Sequence, residues 1–142
     1  MLTKKFAYFL GLLCVVIIIN GCECVVKICA DPFTFRLVEK GNHIDLVSGS
    51  NPRYNKDSVY LMHQSAYKLS TYDGSRFYCD MPAPMDTLYL RLSSTDIDTL
   101  VMNYKYAKSK CCNDAKGFAQ LKSIQFNGKT APVDGGNYLL EK

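Results

Sequence analysis

The sequence contains no tryptophan and only two histidines, His43 and His63, among its 142 residues. The first absence removes the best stacking surface for a sugar. The second thins the supply of acid–base groups, because proton transfer near neutral pH draws most often on histidine. His43 stands beside the Lys40-Gly41-Asn42 turn, where a solvated loop residue is expected, and His63 closes an apolar segment before Gln64. Neither Gly-x-Ser-x-Gly nor His-Glu-x-x-His occurs, so the strained serine elbow and the paired-histidine zinc helix are both excluded. There is no internal repeat, no low-complexity tract, and almost no window with helical periodicity. The formal net charge is +4, and Lys4 and Lys5 fall in a leader. Such a balance leaves no electrostatic footprint for nucleic acid.

What is present begins with an apolar run, Phe6 to Ile19, behind Lys4 and Lys5. A membrane-spanning helix needs about 20 consecutive apolar residues. This run is shorter and is followed closely by Asn20, Glu23 and Lys27, which reads as an export signal. Its end, Ile19-Asn20-Gly21-Cys22, resembles the lipobox of bacterial lipoproteins, where a small residue precedes a cysteine that is acylated on sulfur before the leader is cut. The resemblance implies lipidation of Cys22, with an uncleaved anchor or simple secretion as alternatives. Each buried methylene contributes about 0.8 kcal/mol, and stable anchoring takes more than one chain. The expected organisation is a signal peptide over residues 1–21, a Cys-bearing tether over 22–32 and one domain over 33–142, about 120 residues in all after cleavage and enough for a core of its own.

Seven cysteines are present, and Cys14 lies in the leader. With Cys22 taken by lipid, Cys24, Cys29, Cys79, Cys111 and Cys112 remain, an odd number that leaves one thiol over. An exported chain sits where disulfides persist. Because Cys111 and Cys112 are adjacent, each is expected to reach elsewhere, and the preferred bridge joins Cys24 or Cys29 to one of the pair. The alternative is zinc on Cys24, Cys29, Cys111 and Cys112 with His43 or His63. Structural zinc knuckles place about two to four residues between ligands, and an adjacent pair has none. No metal and no cofactor is expected.

From Pro32 onward the dominant signal is period-two alternation, the mark of half-buried strands. Phe33, Phe35 and Leu37 oppose Thr34 and Arg36; Leu88, Leu90 and Leu92 oppose Tyr89 and Arg91; Leu100, Met102, Tyr104 and Tyr106 oppose Val101, Asn103 and Lys105. Further strands are expected in "HIDLV" from His43, "DSVYLMH" from Asp57, "AYKLSTY" from Ala66, "SRFYCDM" from Ser75, "LKSIQF" from Leu121 and "NYLLE" from Asn137. Asp73-Gly74 and Asn127-Gly128 are two-residue hairpin signals. "MPAPMD", with two prolines that cannot donate to a ladder, is a crossover, and "NDAKGFAQL" is the single window for a helical turn. The expectation is an all-β fold: a single antiparallel β-sandwich, immunoglobulin-like or transthyretin-like, after the signal segment.

Lipobox, Cys-bearing tether, the "F-x-F-x-L-V" of Phe33 to Val38, the "D-T-L" of Asp98 to Leu100, the Cys111-Cys112 pair and the "I-x-F-N-G-K" of Ile124 to Lys129 together resemble small uncharacterised bacterial lipoproteins. That resemblance implies an envelope location and brings no chemistry with it.

Three constellations remain. Ser65 to Lys68 matches the Ser-x-x-Lys element of penicillin-binding enzymes, but Ser-Asp-Asn and Lys-Thr-Gly are missing. Asp96 and Asp98 could offer oxygens to calcium, yet the glycine turn and distal glutamate of a calcium loop are lacking, and turn capping explains them. Tyr60 and Tyr89 fall opposite the apolar strand positions and form a candidate binding face. The expected function is a lipid-anchored cell-envelope protein, at the periplasmic face or the cell surface. It acts there as a non-catalytic interaction or structural module with an envelope protein partner and the membrane, and not with nucleic acid. A glycan- or small-molecule-binding domain is the alternative, an envelope hydrolase a distant third.

Overall fold

The structure, a computed structural model, describes residues 29–64, 67–109, 112 and 116–142. These contain no helix, and none is therefore long and apolar enough to cross a membrane. The strands are β1 (Phe33–Val38), β2 (Tyr60–His63), β3 (Tyr67–Lys68), β4 (Ser70–Tyr72), β5 (Phe77–Cys79), β6 (Thr87–Arg91), β7 (Ile97–Ala107), β8 (Phe118–Phe126), β9 (Lys129–Thr130), β10 (Val133–Asp134) and β11 (Asn137–Glu141). They form one sheet in the order β10-β11-β1-β5-β4 and another in the order β3-β2-β6-β7-β8-β9.

Alternation decides which face each strand buries. Phe33, Phe35 and Leu37 of β1 point into the same core as Leu88 and Leu90 of β6, Leu100 and Met102 of β7, and Ile124 and Phe126 of β8. The two sheets therefore share one hydrophobic interior. Phe35 and Phe77, partners across β1 and β5, stack with ring centroids 4.9 Å apart. Full burial of such a ring contributes about 1.5 to 3 kcal/mol.

The chain changes sheet at three short places. At Leu69 it leaves β3 for β4, and there the backbone N–H of Leu69 donates to Leu61 while the buried Ser70 hydroxyl accepts from the Leu61 N–H. "AYKLSTY" is thus two strands in two sheets, not one. The "MPAPMD" segment carries the chain back from β5 to β6, and Ala131-Pro132 takes it from β9 to β10.

The named strands pair antiparallel except for β1 and β11, which run parallel with Phe35 opposite Tyr138 and Leu37 opposite Leu140, and the isolated Ala30–Ala119 bridge is parallel too. This corrects the wholly antiparallel expectation. A tight turn forces neighbours to be antiparallel, and no turn joins these two. Other expectations also give way. "HIDLV" forms only a single bridge, Val38 to Asp45, because the Asp45 carboxylate bends the chain by accepting from the N–H groups of Val47 and Ser48. Strand β2 begins at Tyr60, not Asp57. Asp73-Gly74 opens a four-residue loop between Tyr72 and Phe77, where Asp73 Oδ1 accepts from the N–H groups of Ser75 and Arg76. Asn127-Gly128 is the two-residue turn its dipeptide implies, both residues at positive φ. Of "NDAKGFAQL", Phe118 to Leu121 are strand, and Asn113 to Ala115 lie outside the described residues. At the register shift between Asn103 and Tyr104 the residue left unpaired is Lys122 of β8, and past it Tyr106 is exposed, its ring 6.4 Å from that of the half-buried Tyr104.

Candidate functional site

Tyr60 and Tyr89 both lie on the outer face of the six-stranded sheet. Register places them in adjacent rows: Tyr60 beside Arg91, which is beside Ile97; and Met62 beside Tyr89, which is beside Thr99. The next row outward begins with Thr87 and Val101. Tyr89, Ile97 and Val101 are 38, 48 and 37% exposed, so three adjoining rows each offer an apolar side chain to solvent.

Tyr60 is not a bare platform. The Arg91 guanidinium lies 5.9 Å and the Lys68 ammonium 5.8 Å from its ring centroid. Arg91 Nη1 also donates to the Tyr60 hydroxyl at 3.3 Å, and its Nε donates to the Ser93 carbonyl at 3.1 Å. Beyond this pair the face turns into a recess of about 590 Å³, bounded by Arg53, Tyr54, Asn55, Ser58, Tyr60, Arg91 and the start of the β6–β7 turn. The far wall is the irregular segment between Leu46 and Tyr60. Loops longer than about 12 residues in compact domains are usually either functional or linker segments, and this one is pinned: Tyr54 N–H donates to the Leu46 carbonyl, and Asn55 accepts from Asp57 and Ser58.

Behind the recess lies a polar network. Lys142 Nζ donates to Asp96 Oδ1 at 2.7 Å and to Asp98 Oδ1 and Oδ2 at 2.9 and 2.7 Å. Asn127 donates to Asp98, and the Tyr54 hydroxyl to Asp96. The Lys142 hydrogen bond holds the Asp96 carboxyl below its ordinary range. Burial pulls the Lys142 ammonium down, but Asp96 and Asp98 outweigh it and the net direction is upward. Burial and the Asp96 charge raise Tyr54. Asp96 and Asp98 therefore converge, but on an ammonium that fills the place a calcium ion would take.

Cys29 and Cys112 are brought to disulfide distance, their Cα atoms 5.4 Å apart. The neighbouring Ala30 bridges Ala119, and Asp31 Oδ2 accepts from the Leu121 N–H, so the segment entering the domain is laid along β8. Cys79 is a buried free thiol, which burial and the nearby Asp80 push up to about 12. Cys22, Cys24, Cys111 and Ser65 lie outside the described residues, as do the signal segment and the tether before Cys29. His43 contacts Glu141 at 2.9 Å in an exposed pair, and His63 sits at the end of β2 opposite Tyr67. No cluster of three His, Cys, Asp or Glu side chains able to hold a metal occurs among the described residues.

Sequence reasoning passed over Arg53 and Arg91. The available signal was "NPRYNKDS", residues 51 to 58, where a proline, two cations and a tyrosine interrupt the alternation before β2. Comparison of the chain with family models, with curated proteins and with solved structures finds no match.

Proposed function

We propose that this chain is an exported lipoprotein, held through a lipid on Cys22 at the periplasmic face or cell surface of a bacterial envelope, whose β domain works by binding and not by catalysis. It is a non-catalytic interaction or structural module for an envelope protein, on a two-sheet sandwich of the immunoglobulin-like or transthyretin-like kind. The observation that carries this reading is the outer face of the six-stranded sheet, where Tyr89, Ile97 and Val101 stand exposed in adjoining register rows. Aromatic side chains with apolar neighbours and a polar rim are the usual make-up of an interface centre. Mild cross-linking in intact envelopes is expected to capture one specific protein. Tyr89→Ser with Val101→Ser abolishes that capture while leaving the unfolding temperature in place. A turnover of an envelope substrate that disappears on changing His63 or Ser65, with the fold intact, overturns the reading.

A second reading, a domain that binds a glycan or small molecule, is favoured by the recess beside Tyr60. Its volume falls within the range of roughly 300 to 1,000 Å³ common for ligand sites, and its polar groups converge from a loop, a strand and a turn.

A further inference from the structure

We infer that the recess between Arg53 and Arg91 is a receptor for an acidic saccharide, a polyhydroxylated body bearing a phosphate or carboxylate; this rests on the ligand-binding reading and names its substrate class. Two guanidinium groups line one cavity, and among the described residues neither has a carboxylate within salt-bridge distance. Each is instead laid against a tyrosine: Arg53 lies 5.6 Å from the Tyr54 ring centroid and Arg91 5.9 Å from that of Tyr60. The rings hold the cations in place without neutralising them.

Arg91 spends two of its five donors inside the protein, on Tyr60 and Ser93, which leaves N–H groups for an incoming acceptor. The acid whose charge interacts with that of Arg53 is Asp96. It is already engaged by Lys142 at 2.7 Å and by the Tyr54 hydroxyl at 3.2 Å. A planar fork left unpaired beside a cavity suits the paired oxygens of phosphate or carboxylate.

Size and the remaining wall narrow the class. A bare oxyanion would leave most of about 590 Å³ empty. Asn55 and Ser58 add an amide and a hydroxyl to the same recess, groups that exchange hydrogen bonds with the hydroxyls of a sugar ring. Position argues against the headgroups of an anchoring bilayer. The recess opens at the Arg91–Ile97 end of β6 and β7, whereas Ala30 docks beside Ala119 at the other end of β7. At about 3.3 Å per residue those ends are roughly 30 Å apart. The anion is met on the side of the domain remote from the chain that enters at Cys29.

The test is binding to the full chain purified in detergent, with glucuronate and glucose 6-phosphate as probes and glucose as the neutral control. Both acidic sugars are expected to raise the unfolding midpoint in a concentration-dependent way, glucose not, and added salt to weaken the effect. Arg53→Gln and Arg91→Gln each lower affinity about tenfold or more, the loss of one charge-assisted contact. If Arg91→Gln does not fold, Arg53→Gln, in an exposed loop, decides alone. Equal binding of glucose and the acidic sugars, unchanged in both variants, overturns the anion assignment and leaves the ligand-binding reading standing. Binding to vesicles of anionic phospholipid that needs both arginines, without binding of either sugar, assigns the anion to a headgroup and overturns the saccharide. No binding of any probe at millimolar concentration overturns both readings of the recess and leaves the sheet-face interaction to its cross-linking test.

Discussion

The ammonium of Lys142 stands 2.7 Å from Asp98 Oδ2, so a carboxylate on the buried face of β7 is neutralised by a cation that follows β11 in the other sheet. Asp98 is only 7% exposed. Replacing Lys142 with methionine leaves that buried charge with the neutral amide of Asn127 and no cation. The expected loss is about 2 kcal/mol, less than a fully buried pair because Lys142 and Asp96 keep some water contact. Urea unfolding of the variant measures it, and Lys142→Arg recovers part of the loss.

Acid unfolding follows from the same contacts. Asp96 is depressed by its hydrogen bond from Lys142, and Asp73 is held at about 2 by the backbone N–H groups of Ser75 and Arg76. A carboxyl whose folded value is lowered contributes stability above its unfolded value, here 3.8, and loses it as pH falls through the folded value. Through these two carboxyls the unfolding midpoint drops between about pH 4 and 2. In Lys142→Met that drop is shallower, because Asp96 loses the hydrogen bond that lowers it most and keeps the one from Tyr54.

The Cys29–Cys112 pair closes a loop with a sequence separation of 83. Loop-closure entropy alone assigns it about 4 to 5 kcal/mol. Reduction, or Cys29→Ala with Cys112→Ala, is expected to lower the urea midpoint by most of that amount. Peptide mapping without reductant identifies the pair, and recovery of both residues alkylated from oxidised protein contradicts it.

Cys79 has no solvent contact and its thiol is pushed up to about 12, by burial first and by Asp80 second. Only the thiolate reacts readily. Iodoacetamide at pH 8 is expected to leave Cys79 unmodified in the folded protein and to label it fully in urea, read peptide by peptide.

Gly117 has φ +83°, and a Cβ there would run into the carbonyl oxygen of Ala107. Gly117→Ala is expected to cost about 2 kcal/mol or more, since positive φ and backbone contact act together. Gly74→Ala, at φ +100° with open space around it, costs less. Thermal unfolding of the two side by side separates the effects.

The strands with strict alternation were legible because one face is buried along their whole length: Phe33–Val38, Thr87–Arg91 and the first half of β7. Alternation continues smoothly through Leu69, however, where the chain changes sheet, since period two does not say which neighbour a strand will find. The parallel seat of β11 beside β1 is equally silent, because it depends on partners a hundred residues apart. Asp98 reads as a turn-capping acid, and its burial is explained only by a lysine from the far end of the sequence. Of the candidate site, Tyr60 and Tyr89 stood out as aromatics opposite a core face. Arg53 and Arg91 did not, because an isolated arginine reads as solvated until the fold shows that no acid sits beside it.

The adjacency of β1 and β11 bears on the order in which this protein can acquire its structure. The first strand has β5 as a partner once the chain has reached Cys79, but its other edge stays open until Asn137–Glu141 are available. Contacts of such long sequence separation slow folding, because loop closure must precede the contacts that reward it. A chain arriving from its N-terminal end therefore spends an interval with a row of unpaired peptide groups beside Phe33 and Phe35, a template for pairing with a second copy. Truncation ahead of Asn137 makes that interval permanent.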